Sequence, residues 1–159
     1  MSPQLGDYFV VRTTGWAAWG IRLVTASPVN HAGVYVGNGL IVEAESAGAR
    51  MVHASIYPDA IWSHLDLTPA QRRSIGEAAK AKIGTPYSWL DDAAIGAAKL
   101  LGRALPAFVR DRLKSKGRLM CSQLVDVCYH EAGVDLFTDG RYPGDVSPGD
   151  LYDLIEASP

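Results

Sequence analysis

Residues 30–45, NHAGVYVGNGLIVEAE, decide the fold of this 159-residue chain. Two apolar runs rich in β-branched residues flank Gly37, Asn38 and Gly39. Glycine and asparagine readily adopt the positive φ angles of a tight reversal, and such runs are typical of paired strands. The stretch therefore predicts a β-hairpin.

The hairpin brings a histidine towards two carboxylates. If the loop has three residues, Val34 pairs with Val42, and His31, Glu43 and Glu45 share one face of the sheet. A two-residue loop inverts this arrangement, because a slip of one residue turns every side chain over. A carboxylate beside an imidazole fixes its tautomer and orientation. The pattern predicts an oriented base, with both glutamates open as its partner.

The rest of the chain predicts a sheet followed by helices. Strands are expected at 7–12 and within 50–57 and 60–67, and a short helix at 13–27. The run TPAQ at 68–71 has an N-cap threonine, a proline in the first turn and a glutamine three residues on. Further helices are predicted at about 91–104 and 106–116, from about 118 to a C-cap at Gly133, and after Ser147. We expect a single α+β domain over 1–159, with an antiparallel sheet first.

Charge is unevenly distributed along the chain. The net charge is −2, but 99–118 alone carries +6. The overall balance gives no signal for specific nucleic-acid binding. Within 100–117, LLGRALPAFVRDRLKSKG, apolar residues alternate with basic ones, which suits an interfacial helix on an anionic membrane as well as a solvated face.

The sequence lacks several familiar signals. It has no apolar run of about 18 residues and no signal-peptide pattern near its start, so we expect cytoplasmic synthesis, with phage delivery or release on lysis as routes outward. It has no zinc-like ligand spacing, phosphate-binding glycine loop or Gly-x-Ser-x-Gly elbow. We therefore expect neither a cofactor nor a metal.

Cys121 is the candidate nucleophile. It is predicted in the first turn of its helix, where unpaired backbone amides and the helix dipole favour a negative charge. Such a thiol needs a histidine partner, and of the four histidines only His31 has carboxylates placed to hold it. Cys128, seven residues along the same helix, is expected to be a free, inward-facing hydrophobe.

Three segments together resemble a known family. HAGVYVGNGLIVEA (31–44), GTPYSW (84–89) and MCSQLVDVCYHEAGVDL (120–136) are similar to the histidine hairpin, the tyrosine-bearing segment and the nucleophile helix of the NlpC/P60 superfamily of papain-like thiol hydrolases. The hairpin precedes the cysteine here. That order resembles the circularly permuted group, in particular its YiiX-like branch, which is related to the lecithin:retinol acyltransferases.

The resemblance implies a set of roles. Cys121 is the nucleophile, His31 the base and Glu43, twelve residues after it, the orienting group, with Tyr87 near the thiol. It implies an amidase or peptidase acting on bacterial cell-wall peptides through an acyl-enzyme. The alternatives are acyl transfer or hydrolysis on lipid substrates, and a non-catalytic phage or virion-associated binding module. The basic helical insertion at about 91–117 matches no family motif.

Overall fold

A computed structural model describes five segments of the protein: residues 2–14, 27–45, 47–86, 121–141 and 146–158. They form an α+β fold, as the sequence predicts. Several predictions lie outside these segments: the helix at 13–27, the helices within the 91–117 insertion, and Tyr87. The single-domain extent over 1–159 stays a prediction.

The sheet has five antiparallel strands in the order β4-β3-β2-β1-β5. They form because short runs of β-branched and aromatic residues are separated by glycine-containing turns. Their bounds are β1 Tyr8–Val11, β2 His31–Gly37, β3 Leu40–Glu45, β4 Gly48–His53 and β5 Ile61–Trp62. Each strand predicted from the sequence has a counterpart, although β4 begins two residues before the predicted range and β5 has only two residues.

Three α-helices and one 3₁₀ turn lie in the described segments. Helix α1 spans Pro69–Ala81, α2 Cys121–Glu131, α3 Pro148–Glu156, and the 3₁₀ turn Ala54–Ile56. Thr68 and Gln71 form the predicted capping box of α1, and Ser147 caps α3 in the same way. Gly133, with φ of 73°, follows α2 as the expected C-cap. None of the described helices has the length and apolar character needed to cross a bilayer.

The turn of the central hairpin differs from the predicted three-residue loop. Gly37 pairs with Leu40, so only Asn38 and Gly39 form the turn, and both have positive φ. A register shift between Tyr35 and Gly37 inserts one extra residue into β2. Because of this bulge, Val34 still pairs with Val42. The predicted facing of His31 is therefore kept with a shorter turn.

The main core lies between one face of the sheet and the helices. Tyr8, Val10 and Val34 from the strands pack with Leu124 and Val125 of α2, all of them fully buried. A smaller cluster on the other face contains Phe9, Val11 and Ile41. Helix α2 contacts both β2 and β3. The two central strands and α2 therefore form the unit that positions the candidate site.

Candidate functional site

His31 and Glu43 form a buried pair on the central hairpin. His31 Nε2 lies 2.7 Å from Glu43 Oε2, and His31 is 6% exposed while Glu43 is fully buried. Gly33 of β2 is directly opposite Glu43 of β3. His31, two residues before Gly33, is therefore the diagonal neighbour of Glu43 on the same face of the sheet. The hairpin register thus produces the pair.

Cys121 completes the cluster from the helical half of the chain. It is the first residue of α2, His31 is the first residue of β2, and the two side chains hydrogen-bond. Since Nε2 of His31 is engaged with Glu43, Nδ1 is the nitrogen left for the thiol. Cys121 is itself almost fully buried. Residues 90 positions apart in sequence are thereby joined in one chain of contacts.

The surroundings favour a protonated imidazole. Burial lowers the pKa of His31, but its hydrogen bonds to Cys121 and Glu43 and the charges of those groups outweigh burial and raise the pKa to about 10. Burial has the opposite effect on the Glu43 carboxyl and by itself raises its pKa. The interactions with His31, and hydrogen bonds from Arg50 and Tyr57, reverse that effect and keep the Glu43 pKa below its usual value. The geometry thus favours a buried ionised pair.

Two residues that sequence reasoning missed hold Glu43. Arg50 Nε and Nη2 donate to Glu43 Oε1 over 2.9 and 2.8 Å, and Tyr57 hydrogen-bonds the same carboxylate. The Tyr57 ring centroid lies 5.6 Å from that of His31. Burial, together with Glu43, raises the Tyr57 pKa, so its hydroxyl remains a donor. Arg50 is directly opposite Glu43 in the register of β3 with β4. Knowing that register would therefore have identified Arg50 as a partner of Glu43.

Phe9 forms a wall beside the imidazole. Its ring centroid is 6.1 Å from that of His31 in an edge-on arrangement. The space exists because the opposing residue is Gly33: a Cβ there would lie 2.7 Å from the Phe9 ring and 2.7 Å from the Val42 carbonyl oxygen. The glycine therefore allows an aromatic ring to pack against the His31 side of the sheet.

Glu45 stands at the edge of the cluster. Its Oε1 is 3.9 Å from His31 Nε2, and its side chain is 35% exposed. Of the two glutamates left open by the sequence, Glu43 is the one that hydrogen-bonds the imidazole. Glu45 has a longer, partly solvated contact.

His31, Glu43 and Glu45 also offer one metal-ligand atom each, all within 4.8 Å of one another. Imidazole and carboxylates suit a divalent cation in donor type. However, both oxygens of Glu43 are already engaged, one by Arg50 and one by His31. A cation would have to replace the proton that His31 shares with Glu43. Metal binding at this cluster and protonation of the His31 imidazole therefore exclude each other.

Each of the other histidines has a different partner. His53 contacts Ser55, His64 lies near Asp7, and His130 contacts Asp135 on the surface. Cys128 is fully buried, and burial raises its pKa to about 12, which suits an inert structural thiol. Cys121 and Cys128 are both free. Tyr87, expected near the thiol, lies outside the described residues.

Comparison with known proteins gives a likeness of fold. No protein-family model and no curated protein matches the sequence. A solved structure that matches is that of the metalloprotein yiiX from Escherichia coli O157:H7. The TM-score is 0.60 at 19% sequence identity, over 90% of this chain and 78% of that one. The protein therefore has a YiiX-like fold.

Proposed function

We propose that the protein is a thiol hydrolase that cleaves amide bonds through an acyl-enzyme. The observation that carries the proposal is the buried series Cys121, His31 and Glu43, in which a carboxylate holds one side of an imidazole and a thiol hydrogen-bonds the other. This is the arrangement that activates a sulfur nucleophile.

The proposed chemistry follows from the charges. In the resting pair the proton of the Cys121 thiol already resides on His31, and the thiolate sulfur attacks the carbonyl carbon of the substrate. The imidazolium then protonates the leaving amine as the C–N bond breaks, which leaves a thioester on Cys121. The neutral His31 takes a proton from water as the water oxygen attacks the thioester. The C–S bond then breaks, the acid product leaves, and the thiolate–imidazolium pair is restored. Glu43 stabilises the imidazolium in each half of the cycle, and Arg50 and Tyr57 hold Glu43 in place.

The backbone amide of Cys121 is the proposed oxyanion donor. At the start of a helix the first amides have no intrahelical acceptor, and the helix dipole favours negative charge there. An oxyanion formed on attack by Cys121 develops beside that amide. One helix start would thus serve both the thiolate and the tetrahedral intermediate.

We further infer that the chain belongs to the circularly permuted NlpC/P60 group and that its substrates are bacterial cell-wall peptides. Support comes from the order of the site residues, with the histidine sheet ahead of the cysteine helix, and from the YiiX-like fold. Acyl-lipids are the competing substrate class, because of the basic segment 99–118.

Alkylation and hydrolysis test the activity. Iodoacetamide at neutral pH, followed by peptide mass spectrometry, is expected to modify Cys121 far faster than Cys128, and His31→Ala to slow this reaction by about tenfold or more. His130→Ala is the matched control, since His130 is exposed and far from the thiol. Equal rates in wild type and His31→Ala would refute the pair. Incubation with muropeptides and with acyl-lipids, wild type against Cys121→Ala, then identifies the substrate class.

A second candidate is binding of a divalent metal by His31, Glu43 and Glu45, favoured by the 4.8 Å cluster. The YiiX structure is described as that of a metalloprotein. Zinc titration by calorimetry tests it: binding that is lost in Glu45→Gln and that protects Cys121 from iodoacetamide would support metal occupancy. If zinc gives no heat of binding and does not change the rate at which Cys121 is alkylated, the metal-binding candidate is refuted.

A further inference from the structure

A cavity lies at the far end of α2. It has a volume of about 380 Å³, within the size range of small-molecule sites. Its lining combines the C-terminal part of α2 with the loop that follows, namely Asp126, His130, Asp135, Leu136, Phe137, Thr138, Gly140 and Arg141. Asp126 is five residues beyond Cys121, or about 7.5 Å along a helix axis. The cavity is therefore distinct from the cluster around the thiol.

Asp126 is the unusual member of this lining. It is only 8% exposed, yet among the described residues no group hydrogen-bonds its carboxylate. A buried carboxylate is normally paired, coordinated or neutralised, because leaving it ionised and unpaired is costly. Burial accordingly raises the pKa of Asp126, and Asp135 adds to the effect, while His130 and Arg141 oppose it from a distance. Within the part of the chain that the structure describes, the Asp126 carboxylate therefore has no hydrogen-bonding partner in the cavity that it lines.

The two nearby basic groups are engaged elsewhere. Arg141 forms a double contact with Asp139, a further one with Asp150 at 3.3 Å, and covers the Phe137 ring with its guanidinium 4.3 Å from the centroid. His130 Nδ1 is 2.9 Å from Asp135 Oδ1. Among the described residues, neither side chain therefore hydrogen-bonds the Asp126 carboxylate.

We propose that this cavity binds a small organic cation whose primary ammonium group pairs with Asp126 and whose carbon chain lies along Leu136 and Phe137. An ammonium group supplies the charge-assisted hydrogen bond that none of the described residues gives to this carboxylate. A divalent metal suits the site less well, because in the described part of the chain the three-ligand cluster is at His31, Glu43 and Glu45. One buried carboxylate beside apolar walls matches a monovalent organic cation.

Protein NMR with n-butylammonium chloride as the probe tests this proposal. We expect saturable shifts of amide signals within 126–141, and binding at least about tenfold weaker for n-butanol, which has a similar shape without the charge. Sodium chloride at matched ionic strength is the salt control. Equal shifts with butanol and butylammonium, or shifts that do not saturate, would overturn the proposal.

Two variants locate the binding group. Asp126→Asn is expected to weaken butylammonium binding by about tenfold. Asp135→Asn lines the same cavity but is exposed and engaged with His130, and should change affinity by less than about threefold. Equal losses in both variants would point to general electrostatics and overturn the assignment to Asp126.

A measurement on the wild type covers the case in which Asp126→Asn does not fold. The carboxyl ¹³C signal of Asp126 is followed against pH with and without butylammonium. Pairing with the cation must move the titration midpoint to lower pH, because it stabilises the ionised form. A midpoint that the amine leaves unmoved would mean that Asp126 is a protonated acid of the interior, and the proposal would fall.

Discussion

Two buried carboxylates, Asp7 before β1 and Glu43 in β3, have similar partners and different neighbours. Each is fully buried, each accepts from an arginine at 2.8 Å, and each lies near a histidine. The histidine of the Asp7 pair is His64, at 3.7 Å and one-third exposed. That of the Glu43 pair is His31, at 2.7 Å with a thiol on its other side.

The arginines differ in the same way. Arg72, which binds Asp7, also donates to the carbonyls of Leu5 and Leu65, so it ties the N-terminal turn and the loop before α1 together. Arg50 contacts Glu43 with both donors while its side chain is about half exposed. The Asp7 cluster therefore serves the fold. In the Glu43 cluster, the carboxylate contacts the imidazole of His31, and this imidazole in turn contacts Cys121.

The largest expected effect separates the two cysteines of α2. Cys121→Ala should lower kcat/KM for the identified amide substrate by about 10³-fold or more, because no other group replaces the nucleophile. Cys128→Ala should keep kcat/KM within about threefold and lower the free energy of unfolding by about 1 to 2 kcal/mol. Steady-state kinetics and urea unfolding measure both. Turnover of the substrate by the Cys121→Ala variant would contradict the assignment of Cys121 as the nucleophile.

The comparison of the carboxylates is tested by Glu43→Gln and Asp7→Asn. Glu43→Gln should lower kcat/KM by about 10²-fold, since the imidazolium loses its counter-charge. Asp7→Asn should leave kcat/KM nearly unchanged and lower the free energy of unfolding by about 3 kcal/mol, because Arg72 is left buried without its charged partner. If both variants lose the same property, the division into a functional and a structural carboxylate is wrong.

The dependence of stability on pH should distinguish the two histidines. Folding raises the pKa of His31 from its ordinary value to about 10, so the folded state binds its proton more tightly than the unfolded state. The resulting stabilisation is complete below about pH 6.5 and is lost as pH rises towards 10. Urea unfolding of wild type and His31→Gln at several pH values should show the difference between them shrinking over that window. His64→Gln is the matched control, and the same shrinkage there would count against His31.

A smaller effect is expected from the hydroxyl that supports Glu43. Tyr57→Phe keeps the ring beside His31 but removes the hydrogen bond to the carboxylate, so kcat should fall by about three- to tenfold with little change in KM. The alkaline limb of the pH-rate profile should move to higher pH, because a Glu43 carboxylate that has lost a hydrogen-bond donor attracts the imidazolium proton more strongly. Tyr35→Phe is the control, since Tyr35 Oη accepts from the Gly39 amide at the turn. An unchanged profile would reduce Tyr57 to a packing residue.

Local rules were sufficient for much of this architecture. The capping box at Thr68, the C-cap at Gly133 and the glycine-rich hairpin each depend on residues close together in sequence. The alternation of a strand also places His31, Glu43 and Glu45 on one face once the register is known, although the choice of Glu43 rested on the resemblance. These features were predictable because the chemistry that fixes them is local.

The missed features depend on relations between elements. Arg50 reaches Glu43 only through the register of β3 with β4, and Tyr57 only through the 3₁₀ turn that redirects the chain after β4. The bulge in β2 has no sequence signature apart from its neighbouring glycine. The contact of Cys121 with His31 rested on resemblance, since spacing alone does not bring a helix start to a strand start.

The bulge in β2 makes the hairpin sensitive to whether its residue count is odd or even. With a two-residue turn and no extra residue, Glu43 would face away from His31; the added residue restores the match. A single deletion between the two would therefore separate acid from imidazole while leaving both strands intact, whereas paired deletions would preserve their alignment. Among related chains, insertions and deletions between the positions of His31 and Glu43 should therefore add or remove residues two at a time.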